Sequence, residues 1–371
     1  MTVALIIAVL AVAFANGAND NIKGVATLLG SRTATYWPAL AWATLTTLAG
    51  AVVSIWFAGA LFQAFSGAGL VPAAIAARPE FLVSAAAGAA GAVLAATLLG
   101  FPVSTTHGLI GGLAGAGLVL APHDLKFGVL GAKFALPLLL SPLAALTATL
   151  LLYPVFRGAR RTLGVTADSC VCIGKRVVAT CATSAEAAAY LQDRVLPSLE
   201  VGTTACCTQR YTGSIAGISA QQTLDAAHFL SAGAMSFARG LNDAPKIAAL
   251  AVAAAAMGVR GSVALVAAAM AVGGIALAKK VARTMSEKVA DMNTGQGFTA
   301  SLVTSSLVIG ATAFGLPVST THVSCGSLFG IGAVNGTAKW KMIGAILLAW
   351  VTTLPVAAVI AAAMAGLLKN G

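Results

Sequence analysis

The sequence predicts an all-α polytopic membrane protein: two inverted repeats with broken or re-entrant helices, plus a small cytoplasmic insert of mixed α/β character. Three observations predict it. Only 9% of the 371 residues are charged and 58% are hydrophobic, a composition typical of neither soluble domains nor disordered chains. Two polar motifs set in apolar sequence each occur twice. The basic residues are crowded into some connecting segments and sparse in others.

Stretches of about 20 apolar residues cross a bilayer core roughly 30 Å thick. Ten such stretches can be read, at 2–30, 38–60, 80–99, 102–120, 126–156, 222–256, 260–281, 296–314, 317–335 and 340–368. The first has no basic leading region and contains one of the polar motifs, so it reads as a membrane segment rather than a cleaved signal peptide.

The net charge of +11 could suggest a nucleic-acid partner, but its distribution points to a membrane instead. With 157–221 cytoplasmic and one crossing per segment, Arg32, the seven Lys/Arg of 157–221, the four of 279–288, Lys339 and Lys341 face the cytoplasm. Only Arg78, Lys126, Arg260 and Lys369 face the other side, and Lys23, Lys133, Arg239 and Lys246 lie within segments. That asymmetry follows the positive-inside rule. Five crossings per half, an odd number, invert the second half and put both termini outside the cytoplasm. The expected organisation is a transmembrane repeat at 1–156, a cytoplasmic insert at 157–221 and an inverted repeat at 222–371, in a multi-pass protein of the plasma (inner) membrane surrounded by lipid.

The insert has the one soluble composition in the chain. Val171 to Val178 reads as a strand, Ser198 to Thr204 as a weaker one, and Ser184 to Val195 as a short helix capped by Thr183 or Ser184. Some 60 residues make only a marginal core of their own. Cys170, Cys172, Cys181, Cys206 and Cys207 fall here. A cytoplasmic setting disfavours disulfides, and the Cys-x-Cys and Cys-Cys pairs make Cys170, Cys172, Cys206 and Cys207 candidate soft-metal ligands, weighed against reduced, partly buried thiols. Cys325, alone in an apolar segment, reads as packing.

The first repeated motif is Asn19-Asp20-Asn21-Ile22-Lys23, echoed 223 residues later by Asn242-Asp243-Ala244-Pro245-Lys246. Carboxylates and ammonium groups inside a membrane are costly and by default functional. Gly17 with Asn16 and Asn19, and Gly240 with Pro245, predict a helix break in each half. Such breaks are tolerated where backbone lines a cavity. Freed carbonyls, Asn19, Asn242 and the carboxylates of Asp20 and Asp243 would then offer hard oxygen ligands to a coupling cation, or a protonatable site. The plainer alternative is an Asp–Lys ion pair that only ties helices together, since three residues of spacing lets each pair meet on a helix.

The second motif is Pro102-Val103-Ser104-Thr105-Thr106-His107, echoed by Pro317-Val318-Ser319-Thr320-Thr321-His322. Proline starts a helix, and the hydroxyls stand where the first amides lack partners. That is an anion site for phosphate, sulfate or carboxylate. Ser104, Thr105, Thr106, Ser319, Thr320 and Thr321, with Lys23 and Lys246, are the candidate anion ligands. His107, His322 and Arg239 are candidate accessories, the histidines as proton relays or as groups that orient the loop. A membrane hydroxyl can instead simply bond the preceding turn.

On these motifs, across 1–156 and 222–371, the chain resembles the inorganic phosphate transporter (PiT) family, through Gly17-Ala18-Asn19-Asp20, Gly240-Leu241-Asn242-Asp243 and both Ser-Thr-Thr-His blocks. The resemblance implies a secondary transporter, not an enzyme: phosphate uptake driven by sodium or a proton, no separate cofactor, and a homodimer. Two positions depart from the pattern. Lys23 stands at the family's second asparagine, and Arg239 stands where a histidine is common, with Asn16 as its first-half counterpart. An ammonium beside a carboxylate can replace a bound sodium, so fewer sodium ions, or protons, are expected to drive uptake. A sulfate permease of the same fold is the competing reading, and an anion channel a remote one. Phosphate near neutral pH keeps a proton and needs an acceptor, which Asp20 or Asp243 would supply.

Overall fold

A computed structural model describes residues 1–162, 164–165, 169–177, 195–203, 216–289 and 291–370. The chain divides into two compact units, Met1–Tyr153 with His228–Gly371, and Pro154–Ala227.

The first unit is helical, and its helix ends follow from local chemistry. Helix α1 (Thr2–Asp20) is apolar along its length and stops at the first polar motif, where a 3-10 turn at Asn21–Val25 leads into a short helix at Ala26–Gly30. Helix α2 spans Tyr36–Phe57. Helix α3 (Pro79–Leu99) opens on proline and closes at Gly100, whose φ of +80° gives the left-handed cap glycine accepts without strain. Helix α4 (Thr105–Leu120) is capped by Ser104, and α5 (Leu136–Thr162) continues from a wide turn at Leu130–Ala135.

In the second half α6 (Ala220–Ala253) contains Pro245, and α7 spans Val259–Leu277. Asn293 and Gln296 form a reciprocal capping box at the start of α8 (Thr294–Ala313). Ser319 caps α9 (Thr320–Asn335), which ends on Gly336 with φ of +68°, and α10 spans Trp340–Asn370.

Two expectations need correction. Among the described residues six helical stretches, not ten, are long and apolar enough to cross a membrane: Thr2–Gly30, Tyr36–Phe57, Pro79–Leu99, Phe127–Thr162, Val259–Leu277 and Trp340–Asn370. The motif helices α4 and α9 have 16 residues each, about 24 Å at 1.5 Å per residue, short of the bilayer core. Second, the predicted break occurs only in the first half. Helix α6 runs unbroken through Asn242 and Asp243, because Pro245 removes just one donor, the partner of the Leu241 carbonyl four residues back.

The outer surface suits lipid: Ile7, Leu45, Leu139, Val351 and Val359 are each more than half exposed, which in water would form adhesive patches. The protein is an integral membrane protein.

Inside, the two halves exchange partners. A Cβ at Gly17 of α1 would strike the Met270 carbonyl of α7, and one at Gly273 the Phe14 carbonyl. A Cβ at Gly240 of α6 would strike the Thr47 carbonyl of α2, and one at Gly50 the Phe237 carbonyl. The second crossing repeats the first with the same 223-residue spacing as the Asn-Asp motifs. Likewise Gly111 of α4 seats on the Leu354 carbonyl of α10, and Gly326 of α9 on the Pro142 carbonyl of α5. Small residues let backbones approach, the main source of helix attraction in lipid. Every one of these crossings joins one half to the other.

The second unit contains an antiparallel sheet of β1 (Ser169–Val177), β2 (Val195–Thr203) and β3 (Ala216–Ser219), in the order β2-β1-β3. Pro197 lies in β2, an edge strand, where a missing amide donor is tolerated. The strand readings of 171–178 and 198–204 fall on β1 and β2 up to Val177 and Thr203, and Val178 and Thr204 lie outside the described residues. Of the helix read at 184–195, residues 184–194 lie outside the described residues and Val195 begins β2.

Candidate functional site

The four motifs meet in one buried cluster. Asn19 and Asn242 are its braces. The Asn19 amide donates to Thr97 Oγ1 (2.8 Å) and the Phe101 carbonyl (3.0 Å), while its carbonyl accepts from the Val103 amide (3.0 Å). Asn242 uses the equivalent threonine and loop with the bonds differently arranged, accepting from Thr312 Oγ1 (3.3 Å) and donating to the Val318 carbonyl (3.3 Å). Each asparagine thereby pins the Pro-Val-Ser loop of its own half against the Asp beside it.

The three hydroxyls of each loop take separate tasks. Ser104 and Ser319 accept from the His107 and His322 amides (3.2 Å each), so they cap helices. Thr105 donates to Asp20 Oδ2 (3.1 Å) and Thr320 to Asp243 Oδ2 (3.2 Å). Thr106 and Thr321 serve the opposite half: Lys246 Nζ donates to Thr106 Oγ1 (3.0 Å) and Lys23 Nζ to Thr321 Oγ1 (2.7 Å). The lysines also bond the loop of their own half, Lys23 to the Val103 carbonyl (2.8 Å) and Lys246 to the Val318 carbonyl (2.6 Å). Lys23 is ion-paired with Asp20, and Lys246 lies 3.6 Å from Asp243 Oδ1. The carbonyls at the site thus come from the Pro-Val-Ser loops, not from broken Asn-Asp helices as the sequence suggested.

Asn16 and Arg239 close the cluster. Asn16 Nδ2 donates to Asp20 Oδ2 (2.8 Å), Thr105 Oγ1 (3.0 Å) and, across the halves, Asp243 Oδ2 (3.4 Å). Its carbonyl accepts from Arg239 (3.3 Å), whose other bonds go to Asn21 Oδ1 (3.2 Å) and Thr47 Oγ1 (3.3 Å). Arg239 Nε is buried without a partner, and no carboxylate forms an ion pair with Arg239 among the described residues. Asp20, Lys23, Arg239, Asp243 and Lys246 are each at most 3% exposed. With all five ionised the cluster carries three positive and two negative charges, a surplus cation supplied by Arg239. A desolvated positive surplus with helix N-termini around it attracts an anion.

His107 and His322, one from each half, contact edge to face with ring centroids 4.5 Å apart. His322 also stacks on Trp350 at 3.9 Å and bonds the Leu138 carbonyl through Nδ1 (3.2 Å). Trp350 in turn donates to the Pro102 carbonyl (3.0 Å), so the rings buttress the first Pro-Val-Ser loop.

All the expected membrane site residues, from Asn19, Asp20 and Lys23 to Thr321 and His322, therefore come together, and Arg239 joins them. Cys170 and Cys172 lie in β1, where the backbone alone is described, and Cys181, Cys206 and Cys207 lie outside the described residues. Cys325 packs in the core with its Sγ 3.7 Å from Met285 Sδ. Sequence reasoning missed Thr97 and Thr312. Both precede their capping serine by seven residues, so aligning the repeats would have found them. Trp350 left no such signal.

A protein of Mycobacterium bovis provisionally named a phosphate permease is 40% identical over 110 residues, 28% of this chain but only 20% of that protein. A Rhizobium meliloti protein named a probable low-affinity inorganic phosphate transporter is 27% identical over 375 residues, 96% of this chain and 95% of its own length. A solved structure titled the sodium-dependent phosphate transporter has the same fold, with a TM-score of 0.76 at 21% identity, over 100% of this chain and 99% of that one. The model of the phosphate transporter family matches residues 16–361, and the chain belongs to that family.

Proposed function

We propose that this protein is a secondary active transporter that takes up inorganic phosphate with a cation, a proton or sodium, by alternating access. One observation carries the reading: side chains from both halves converge on a buried cluster that has surplus positive charge and also two carboxylate acceptors. A permanently deprotonated sulfate asks for donors only, whereas phosphate with a proton uses an acceptor as well. Thr105, Thr106, Thr320 and Thr321 and the first amides of α4 and α9 would hold the anion, with Arg239 supplying charge. Asn19, Asp20, Asn242 and Asp243 would serve coupling. In this reading the halves are inverted repeats, the insert is cytoplasmic, both termini are outside, and the protein works as a homodimer.

The test is uptake of labelled phosphate and labelled sulfate, each competed by the other, into proteoliposomes under a sodium or a proton gradient. Phosphate is expected to enter, to accelerate when unlabelled phosphate is present on the far side, and to resist sulfate. Preferred sulfate uptake would replace the substrate. Flux without trans-acceleration would make the protein a channel.

A further inference from the structure

Each site lysine has three N–H donors, and three oxygens of the protein surround it. Lys23 Nζ meets the Asp20 carboxylate, the Val103 carbonyl at 2.8 Å and the Thr321 hydroxyl at 2.7 Å. Lys246 Nζ meets the Asp243 carboxylate at 3.6 Å, the Val318 carbonyl at 2.6 Å and the Thr106 hydroxyl at 3.0 Å. Lys23 has no hydrogen left for an anion, and Lys246 spends two on protein oxygens with Asp243 beside it as an ion pair. Carboxylate, main-chain carbonyl and threonine hydroxyl together form a hard, all-oxygen donor set, the kind that binds a small hard cation and that transporters place at their ion sites. The set occurs twice, and each copy draws its threonine from the opposite half.

We propose that Lys23 and Lys246 are tethered cations: each ammonium fills an alkali-cation site between the halves, so that phosphate uptake requires no sodium at either position. The inference deepens the proposed phosphate transport and rests on it. It also moves the two lysines from the anion's ligands to the cation's place, leaving Arg239 as the surplus positive charge. Lys23→Asn with Lys246→Asn would take the formal charge of the cluster from one positive to one negative and reopen both oxygen sets to a diffusible ion.

The experiment compares initial rates of labelled phosphate uptake with sodium present or replaced by N-methylglucamine, at fixed pH and membrane potential. The native protein should change by less than about two-fold, where a genuinely coupled ligand typically shifts an equilibrium by about 5- to 150-fold. The double variant should lose uptake without sodium and recover at least about five-fold with it. A matching measurement follows the unfolding temperature: sodium should raise it for the variant and leave it unmoved for the native protein. Collapse of native uptake on sodium removal, or stabilisation of the native protein by sodium, would overturn the proposal. So would a folded double variant indifferent to sodium in both measurements. If the double variant does not fold, the native protein's response to sodium and that of Lys246→Asn, at the looser pair, decide the matter. If no phosphate exchange occurs in any medium, the substrate reading fails, and the unfolding temperatures still judge the tethered cations.

Discussion

In the first half the helix bearing Asn16, Asn19 and Asp20 stops at Asp20 and turns into a 3-10 segment, while in the second the helix bearing Arg239, Asn242 and Asp243 continues to Ala253. The ligands nevertheless land in matching places, because Asn19 and Asn242 each bond the neighbouring loop of their own half, though through different atoms. What differs is the grip. Asp20 is held by Lys23, Asn16, Thr105 and Thr321. Asp243 is held by Asn242, Thr320, the long bond from Asn16 and a lysine at 3.6 Å. The position that is Asn16 in one half is the cation Arg239 in the other. The first half is thus the tighter, and the second brings the extra charge. Repetition has preserved the geometry of the site while dividing the labour within it.

The sharpest way to break this comparison is to neutralise each carboxylate. Asp20→Asn and Asp243→Asn should both abolish phosphate uptake. Removing one partner of a buried pair costs about 3–5 kcal/mol, and the loss should be larger for Asp20→Asn, read as the lower unfolding temperature. Equal losses would erase the difference in grip.

Next come the crossings. Gly17→Val and Gly240→Val should each destabilise by about 1–3 kcal/mol or more through overpacking against a carbonyl, and by similar amounts, because the crossings are copies. A variant that keeps native thermal stability would show that the backbone approach is not needed.

Removing the surplus charge with Arg239→Gln should weaken apparent phosphate affinity by about 1.5–3 kcal/mol if the anion meets the guanidinium, while Asn16→Ala should cost less. Uptake at graded phosphate concentrations separates the two.

The smallest expected effects are at the crossed threonines. Thr106→Val and Thr321→Val should each weaken phosphate affinity by about 1–3 kcal/mol. Thr321→Val should be the worse, since Thr321 bonds Lys23, the Val103 carbonyl and Asp20, whereas Thr106 serves Lys246.

Much of this could be read in the sequence because it rests on short-range chemistry. Serine after Pro-Val caps a helix wherever it occurs, and an Asp–Lys spacing of three allows a local pair. The continuity of α6 was not legible, since Gly240 and Pro245 signal a break as strongly as Gly17 does, although Pro245 removes only one donor. Arg239 was a candidate from its motif, but its partners were hidden, because its side chain reaches Asn16, Asn21 and Thr47, 192 to 223 residues away in the chain. Nor could spacing show that Lys23 selects Thr321 over Thr106 of its own half. Local signals placed the motifs; only the crossing of helices decided which copy meets which.

That crossing has a consequence for biosynthesis. When the ribosome has finished residue 156, the carbonyls of Met270, Phe237 and Leu354 that meet Gly17, Gly50 and Gly111 have not been synthesised. The first half can insert at that stage but not mature. Its stripes are completed only when α6, α7 and α10 follow, so the protein assembles by mutual templating late in translation, and the two halves expressed as separate chains should each become durable only in the other's presence.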